Sequence, residues 1–225
     1  MARLVEDPEL RNKVKVFADR TDAGRALADL VAPYISRDTV VLAIPSGGVP
    51  VGVTIANELR LDLGLVLVRK LAFPEQPEAG FGAITLDGTT VLNEDLVQWS
   101  GLTEEEIQEV KERTMRGLRE RADLFGTSIK VPAGKDVLLV DDGLASGFTM
   151  LAAVRSLMSQ SPGSVSVAVP TASRDAAQRV MDEVGTVFCA NVRAGTSFAV
   201  AEAYRHWYDL TEEEALSLLP RRILE

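Results

Sequence analysis

The chain reads as an α/β protein, a doubly wound parallel sheet flanked by helices with a hairpin insertion, and three observations predict it. Apolar runs of strand length recur at Thr39–Ile44, Leu63–Val68, Val137–Val140, Val165–Pro170 and Val184–Ala190, as buried parallel strands do. Segments with helical periodicity lie between most of them, an alternation that gives right-handed crossovers. Two runs end in Gly-rich turns, Pro45-Ser-Gly-Gly-Val-Pro-Val-Gly52 and Asp141-Asp-Gly-Leu-Ala-Ser-Gly147, each opening onto a helix.

The elements follow in order. Residues 1–18 are polar and mixed, with Val14–Phe17 as a short edge strand or a lead-in. Thr21-Asp22 caps a helix whose apolar positions are Ala23, Leu27, Leu30 and Val31, ending near Pro33. The Thr39–Ile44 strand feeds a helix through Thr54–Leu59. Leu63–Val68 delivers Arg69 and Lys70 at its end, followed by a loop over Leu71–Gly80. Phe81–Thr85 and Thr89–Leu92 flank Leu86-Asp-Gly88, a hairpin signal. Thr103-Glu-Glu-Glu106 is a capping box for a long amphipathic helix with Ile107, Val110, Thr114, Leu118, Ala122 and Phe125 on one face. Lys111, Arg113, Arg116, Arg119 and Arg121 fall to its exposed side. A short turn-rich connection over Gly126–Lys135 leads to the Val137 strand and a helix from about Met150 to Met158. The Val165–Pro170 strand, a loop Thr171–Ser173, a helix Arg174–Glu183 and the Val184–Ala190 strand complete the sheet. A second capping box, Thr211-Glu-Glu-Glu214, opens a terminal helix.

Composition narrows the function classes. A chain of 225 residues suffices for one domain, residues 1–225, burying roughly 70–75% of its unfolded surface. Lys plus Arg number 24 against 33 Asp plus Glu, a net charge of −9 that argues against nucleic acid as a partner. The single Cys189 excludes an intrachain disulfide and reads as a small apolar strand residue. No apolar run has signal-peptide character or approaches about 18 residues, so a soluble cytoplasmic protein without a membrane partner is expected. His206 has no Ser or Cys nucleophile to serve and reads as a packed or capping residue.

The richest stretch is Val137–Met150. Gly143, Gly147, Ser146 and Thr149 suit a turn whose N–H and hydroxyl groups converge on a phosphate at a helix N-terminus. Asp141 and Asp142 precede it with no cation in the loop. Carboxylates repel phosphate, so they suit sugar hydroxyls, held directly or through Mg²⁺. A ribose 5-phosphate fits both halves, whereas neither nucleotide-binding Gly-rich motif, Gly-x-x-x-x-Gly-Lys-Ser/Thr or Gly-x-Gly-x-x-Gly, is present.

Val140-Asp-Asp-Gly-Leu-Ala-Ser-Gly-Phe-Thr149 resembles the phosphoribosyl pyrophosphate (PRPP) motif of the type I phosphoribosyltransferases. That resemblance implies their fold with a small hood, a homodimer, and Mg²⁺-dependent transfer of ribose 5-phosphate from PRPP to a nitrogenous base with release of pyrophosphate. It implies Asp141 and Asp142 as the catalytic and metal-holding carboxylates, and Gly143 with Ala145, Ser146, Gly147, Phe148 and Thr149 as the 5-phosphate loop. Ser46, Gly47 and Gly48 match the pyrophosphate loop, which often carries a cis peptide; Ser46-Gly47 is the expected bond. Ser46 departs from relatives with Arg or Lys there. Arg69 and Lys70 either replace that charge or form a solvated pair; their stretch resembles the Arg-Lys-Leu segment of bacterial and archaeal members. A closing loop is implied near the hairpin. Ser197-Phe-Ala-Val200 resembles the base-binding segment of the purine enzymes, making Phe198 a stacking candidate and Ala199 a backbone reader, against Phe198 as core. Ala145 stands where 6-oxopurine enzymes typically have Asp, which argues against those bases. The alternative is a PRPP- or nucleotide-binding regulator of the same fold without turnover.

Overall fold

The computed structural model describes residues 2–126, 133–195, 197–220 and 224. Six strands form a parallel sheet: β1 (Arg3–Val5), β2 (Val40–Ala43), β3 (Asp62–Leu65), β7 (Asp136–Val140), β8 (Ser164–Ser173) and β9 (Thr186–Arg193), in the order β1-β9-β8-β7-β2-β3. Residues on β2 and β7 alternate between the two sheet faces, as pleated strands must. Val41, Ala43, Leu138 and Val140 belong to one core with helices α1 (Arg20–Val31) and α2 (Gly48–Leu59). Val40, Leu42, Val137 and Leu139 belong to the other, with α5 (Phe148–Met158) and α6 (Arg174–Met181). Burial on both faces explains why these strands read as unbroken apolar runs.

From β2 the chain moves outward to β3, and from β7 it moves the opposite way through β8 to β9. The order therefore reverses between β2 and β7, and a crevice opens there at the carboxyl ends of the strands. Ala43 lies opposite Val140, so the two Gly-rich turns leave the sheet at one level.

A second, antiparallel sheet comprises β4 (Val68–Phe73), β5 (Gln76–Thr85) and β6 (Thr90–Leu92). The Leu86–Gly88 turn is as expected; Gly88 has φ +89°. Asp87 anchors this turn: Thr85 Oγ1 donates to it at 2.5 Å, the Thr89 N–H at 2.9 Å, and Ser156 Oγ on α5 at 2.5 Å. Helices α3 (Glu94–Ser100) and α4 (Glu104–Phe125) follow, then, beyond β9, a 3-10 turn (Val200–Ala203) and α7 (Glu212–Leu218). Both expected capping boxes form, at Thr103 with Glu106 and at Thr211 with Glu214. No helix among the described residues is long and apolar enough to cross a membrane.

Several expectations need correction. The edge strand is Arg3–Val5, which pairs with β9; Phe17 makes only an isolated bridge to Tyr204. Helix α1 starts at Arg20 because Asp19, not Thr21-Asp22, accepts from the Asp22 N–H at 2.9 Å. The Leu63–Val68 run is divided: β3 ends at Leu65, and Val68 begins β4 against Thr85. The supposed loop over Leu71–Gly80 is largely the β4–β5 hairpin, and β8 runs through the expected Thr171–Ser173 loop. Arg121 is not on an exposed face but only 7% accessible. His206 is exposed, and Cys189 is buried as expected, with its thiol pushed up by desolvation. Much of the Gly126–Lys135 connection lies outside the described residues.

Candidate active site

The two turns at the switch point are pressed together. A Cβ on Gly47 would lie 2.0 Å from Asp142 Oδ2, and one on Gly48 would lie 2.9 Å from the Val140 carbonyl oxygen, so no side chain fits at either place. The cis peptide in this turn is Pro45–Ser46, one bond before the expected Ser46–Gly47.

Helix N-termini here divide into two kinds. Helices α1, α3, α4, α6 and α7 are capped by the side chains of Asp19, Asn93, Thr103, Ser173 and Thr211, and each has an acid in its first turn. Helices α2 and α5 begin at Gly47 and Gly147 with no capping side chain and no acid in the first turn. These two are the helices that start at the switch-point turns. Helix α5 leaves the N–H groups of its first turn for an anion, together with about half a positive elementary charge, whereas at α2 the Gly48 and Val49 N–H groups donate to the Ile44 and Ser46 carbonyls at 3.0 and 3.1 Å and Pro50 has none, so α2 brings mainly its dipole.

The loop before α5 is held from outside. The Leu144 N–H donates to the Thr171 carbonyl at 2.9 Å, the Ser173 N–H to that of Leu144 at 3.0 Å, and Ser173 Oγ to that of Ala145 at 2.9 Å. Arg179 Nη1 donates to the Ser146 carbonyl at 2.5 Å. With the carbonyls tied outward and Gly147 at φ +83°, Ala145 and Ser146 stay exposed. A cavity of about 390 Å³ is lined by this loop from Gly143 to Met150 together with Asp141, Lys70, Gly80, Gly82 and Val200.

Asp141 and Asp142 differ sharply. Asp141 lines the cavity, and its Oδ1 accepts the Asp142 N–H at 2.8 Å. Asp142 is turned away: its Oδ2 receives both Nε and Nη2 of Arg20 at 2.9 Å. Arg20 also donates to the Tyr208 carbonyl at 3.0 Å, with its guanidinium 3.9 Å from the Trp207 ring centre. Tyr204 Oη donates to the Asp142 carbonyl at 2.6 Å. Burial raises the Asp141 carboxyl well above the usual range, and the neighbouring Asp142 charge adds to it. Burial raises Asp142 too, but Arg20 opposes this, so the pair's first negative charge belongs on Asp142. Arg20, Tyr204 and Trp207 were missed by the sequence reading.

Arg69 and Lys70 part company. They are consecutive on β4 and so face opposite ways. Lys70 lines the cavity before α5, its stem over Gly80; Arg69 lies against α4, its Nη1 2.7 Å from where a Gly117 Cβ would be. Ser46 meets a different cation: Arg121 Nη2 donates to Ser46 Oγ at 3.0 Å. Phe198 is half-buried with Arg193 5.2 Å from its ring centre, and Arg193 pairs with Glu202 at 2.6 Å. Val200, not Phe198 or the exposed Ala199, lines the cavity.

The described residues contain no cluster of three or more His, Cys, Asp or Glu able to hold a metal. Asp141 is one cavity-facing carboxylate. That suits Mg²⁺, which keeps several waters and takes one or two protein carboxylates with substrate oxygens, and it does not suit an all-protein metal cage.

Residues 19–206 match the family profile described as the phosphoribosyl transferase domain. The chain belongs to that family. It is 36% identical over 210 residues to a provisionally named phosphoribosyl transferase of Mycobacterium tuberculosis, covering 92% of this chain and 47% of that protein. The chain thus spans about half the length of the curated relatives it matches. The crystal structure of TT1426 from Thermus thermophilus superposes with a TM-score of 0.71 at 33% identity, covering 90% of this chain and 96% of that one. A parallel sheet with helices on both faces and an added antiparallel hairpin sheet is the type I phosphoribosyltransferase arrangement.

Proposed function

We propose that this chain transfers ribose 5-phosphate from PRPP to a nitrogenous base. The observation that supports the reading is that two helices without side-chain caps, α5 with its first-turn N–H groups open and α2 with mainly its dipole to offer, start at one crevice where two anionic groups of one substrate would sit. Gly143, Ala145, Ser146, Gly147, Phe148 and Thr149 take the 5-phosphate through backbone N–H and hydroxyl groups, with Lys70 above them. Asp141 orients the ribose hydroxyls. The Ser46-Gly47-Gly48 turn takes pyrophosphate.

In the reaction the bond from C1 to the pyrophosphate oxygen breaks and its electron pair leaves with pyrophosphate. A ring nitrogen of the base forms the new bond to C1, and its proton is lost to solvent or to the leaving group. Positive charge develops on C1 and the ring oxygen, as in glycosyl transfer. The protein's part is placement and stabilisation of the leaving group. Mg²⁺, held by Asp141 and substrate oxygens, would neutralise part of the pyrophosphate charge. Asp142 acts through Arg20, which fixes the turn that presents Asp141. Phe198 and Ala199 remain the base-side candidates, Val200 joins them as the residue over Gly143, and the acceptor is a base other than a 6-oxopurine.

Pyrophosphate release from PRPP with a panel of bases, with and without Mg²⁺, tests this. Release that depends on one base supports transfer. PRPP binding without release under any base would replace it with the regulator reading, and absence of PRPP binding would sink both transfer and a PRPP-sensing regulator, leaving only a regulator that binds another nucleotide.

A further inference from the structure

The 45–48 turn carries no cation of its own, yet the fold brings one to it. Arg121 lies on α4, 75 residues away in sequence, and is 7% accessible. Its Nη2 donates to Ser46 Oγ at 3.0 Å and its Nε faces Glu212 of α7 at 2.5 Å. Phe125 lies beneath, its ring centre 5.7 Å from the guanidinium carbon. Ser46 Oγ accepts from Arg121, which leaves its own O–H to donate elsewhere. Arg69 lies against Gly117 of the same helix, close enough to act on the Arg121 charge. Arg121 thus has one carboxylate partner, Glu212, itself one-third exposed at 33%, while a second cation, Arg69, stands near enough to oppose its charge.

We infer that Arg121 supplies the positive charge for the pyrophosphate side of the site, reaching it through Ser46, with Glu212 as its positioning residue. The inference rests on the PRPP reading above. A plain structural clamp needs no excess of cations at this spot. Burial and the nearby Arg69 both disfavour the charged form of Arg121, and Glu212 alone favours it. A pyrophosphate oxygen at the Ser46 hydroxyl would relieve that imbalance. Arg serves this role well because its planar fork holds Ser46 and Glu212 at once, where a Lys offers a single point charge.

The test is titration calorimetry on the full chain with Mg²⁺-pyrophosphate and, separately, ribose 5-phosphate. Arg121→Met should weaken pyrophosphate by about ten- to a hundredfold, the loss of one charged contact, and leave ribose 5-phosphate unchanged. Its pyrophosphate affinity should also fall less steeply with salt than that of the wild type. Equal pyrophosphate affinity in Arg121→Met and wild type, with ribose 5-phosphate still bound, overturns the inference and leaves the PRPP reading intact. Failure of the wild type to bind either probe overturns both. Ribose 5-phosphate binding reports that a variant has folded. If Arg121→Met does not fold, Arg121→Gln with Glu212→Gln removes both charges together and orphans neither, and the same split is expected.

Discussion

Arg20 and Asp142 are 122 residues apart in sequence and are joined by two nitrogen-to-oxygen contacts of 2.9 Å onto a single carboxylate oxygen. The side chains of both are largely shielded, at 8% and 16% accessibility. Of the two adjacent acids in the motif, one serves the cavity and the other ties it to the first helix.

Arg20→Met should therefore cost about 3–5 kcal/mol, because it leaves the Asp142 charge buried without a partner. Adding Asp142→Asn should recover part of the loss. Chemical denaturation of the two single variants and the double variant measures this, and strictly additive losses would contradict the pairing.

Asp141→Asn should raise the melting temperature at neutral pH while abolishing Mg²⁺-dependent PRPP binding. The Asp141 carboxyl is raised well above its ordinary 3.8 by burial first and by Asp142 second. A raised acid makes the folded state hold a proton that the unfolded state has released. Its contribution is complete below about 3.8 and is lost as pH climbs through the folded value. The gain from Asn, which keeps the acceptor for the Asp142 N–H, should hence shrink towards pH 4, as melting curves across that range would reveal.

Gly47→Ala should cost about 1–3 kcal/mol, since the new methyl would stand 2.0 Å from Asp142 Oδ2 and must push the two turns apart. PRPP affinity should fall with it. A variant of wild-type stability and affinity would show that the turns are not so tightly apposed.

Tyr204→Phe should cost about 1–3 kcal/mol by stranding the part-buried Asp142 carbonyl, which now receives the phenol at 2.6 Å. The aromatic stack of Tyr204 with Phe17 and Trp207, at ring-centre distances of 5.9 and 5.1 Å, should survive the change. Near-ultraviolet circular dichroism together with urea denaturation would separate the two contributions.

What was readable in the sequence was whatever the chain states locally. Four apolar residues before two acids mark β7, and the Thr-x-x-Glu boxes mark the starts of α4 and α7. The β3–β4 break was hidden because Val66 and Leu67 are buried outside any strand and continue the apolar run. Arg20 and Arg121 escaped because a helix arginine reads as solvated until its distant partner is known. Both left a trace. Arg20 puts a cation in the first turn of α1, against the helix dipole. Arg121 falls three residues after Leu118 and four before Phe125, on the apolar side of α4.

The family-matching region stops at residue 206, and Trp207, Tyr208 and Glu212 lie just past it. A chain trimmed to that region would retain every loop of the crevice. It would lose the platform under Arg20 and the counter-charge of Arg121, so in this molecule the tail is scaffolding for the crevice and not packaging around it.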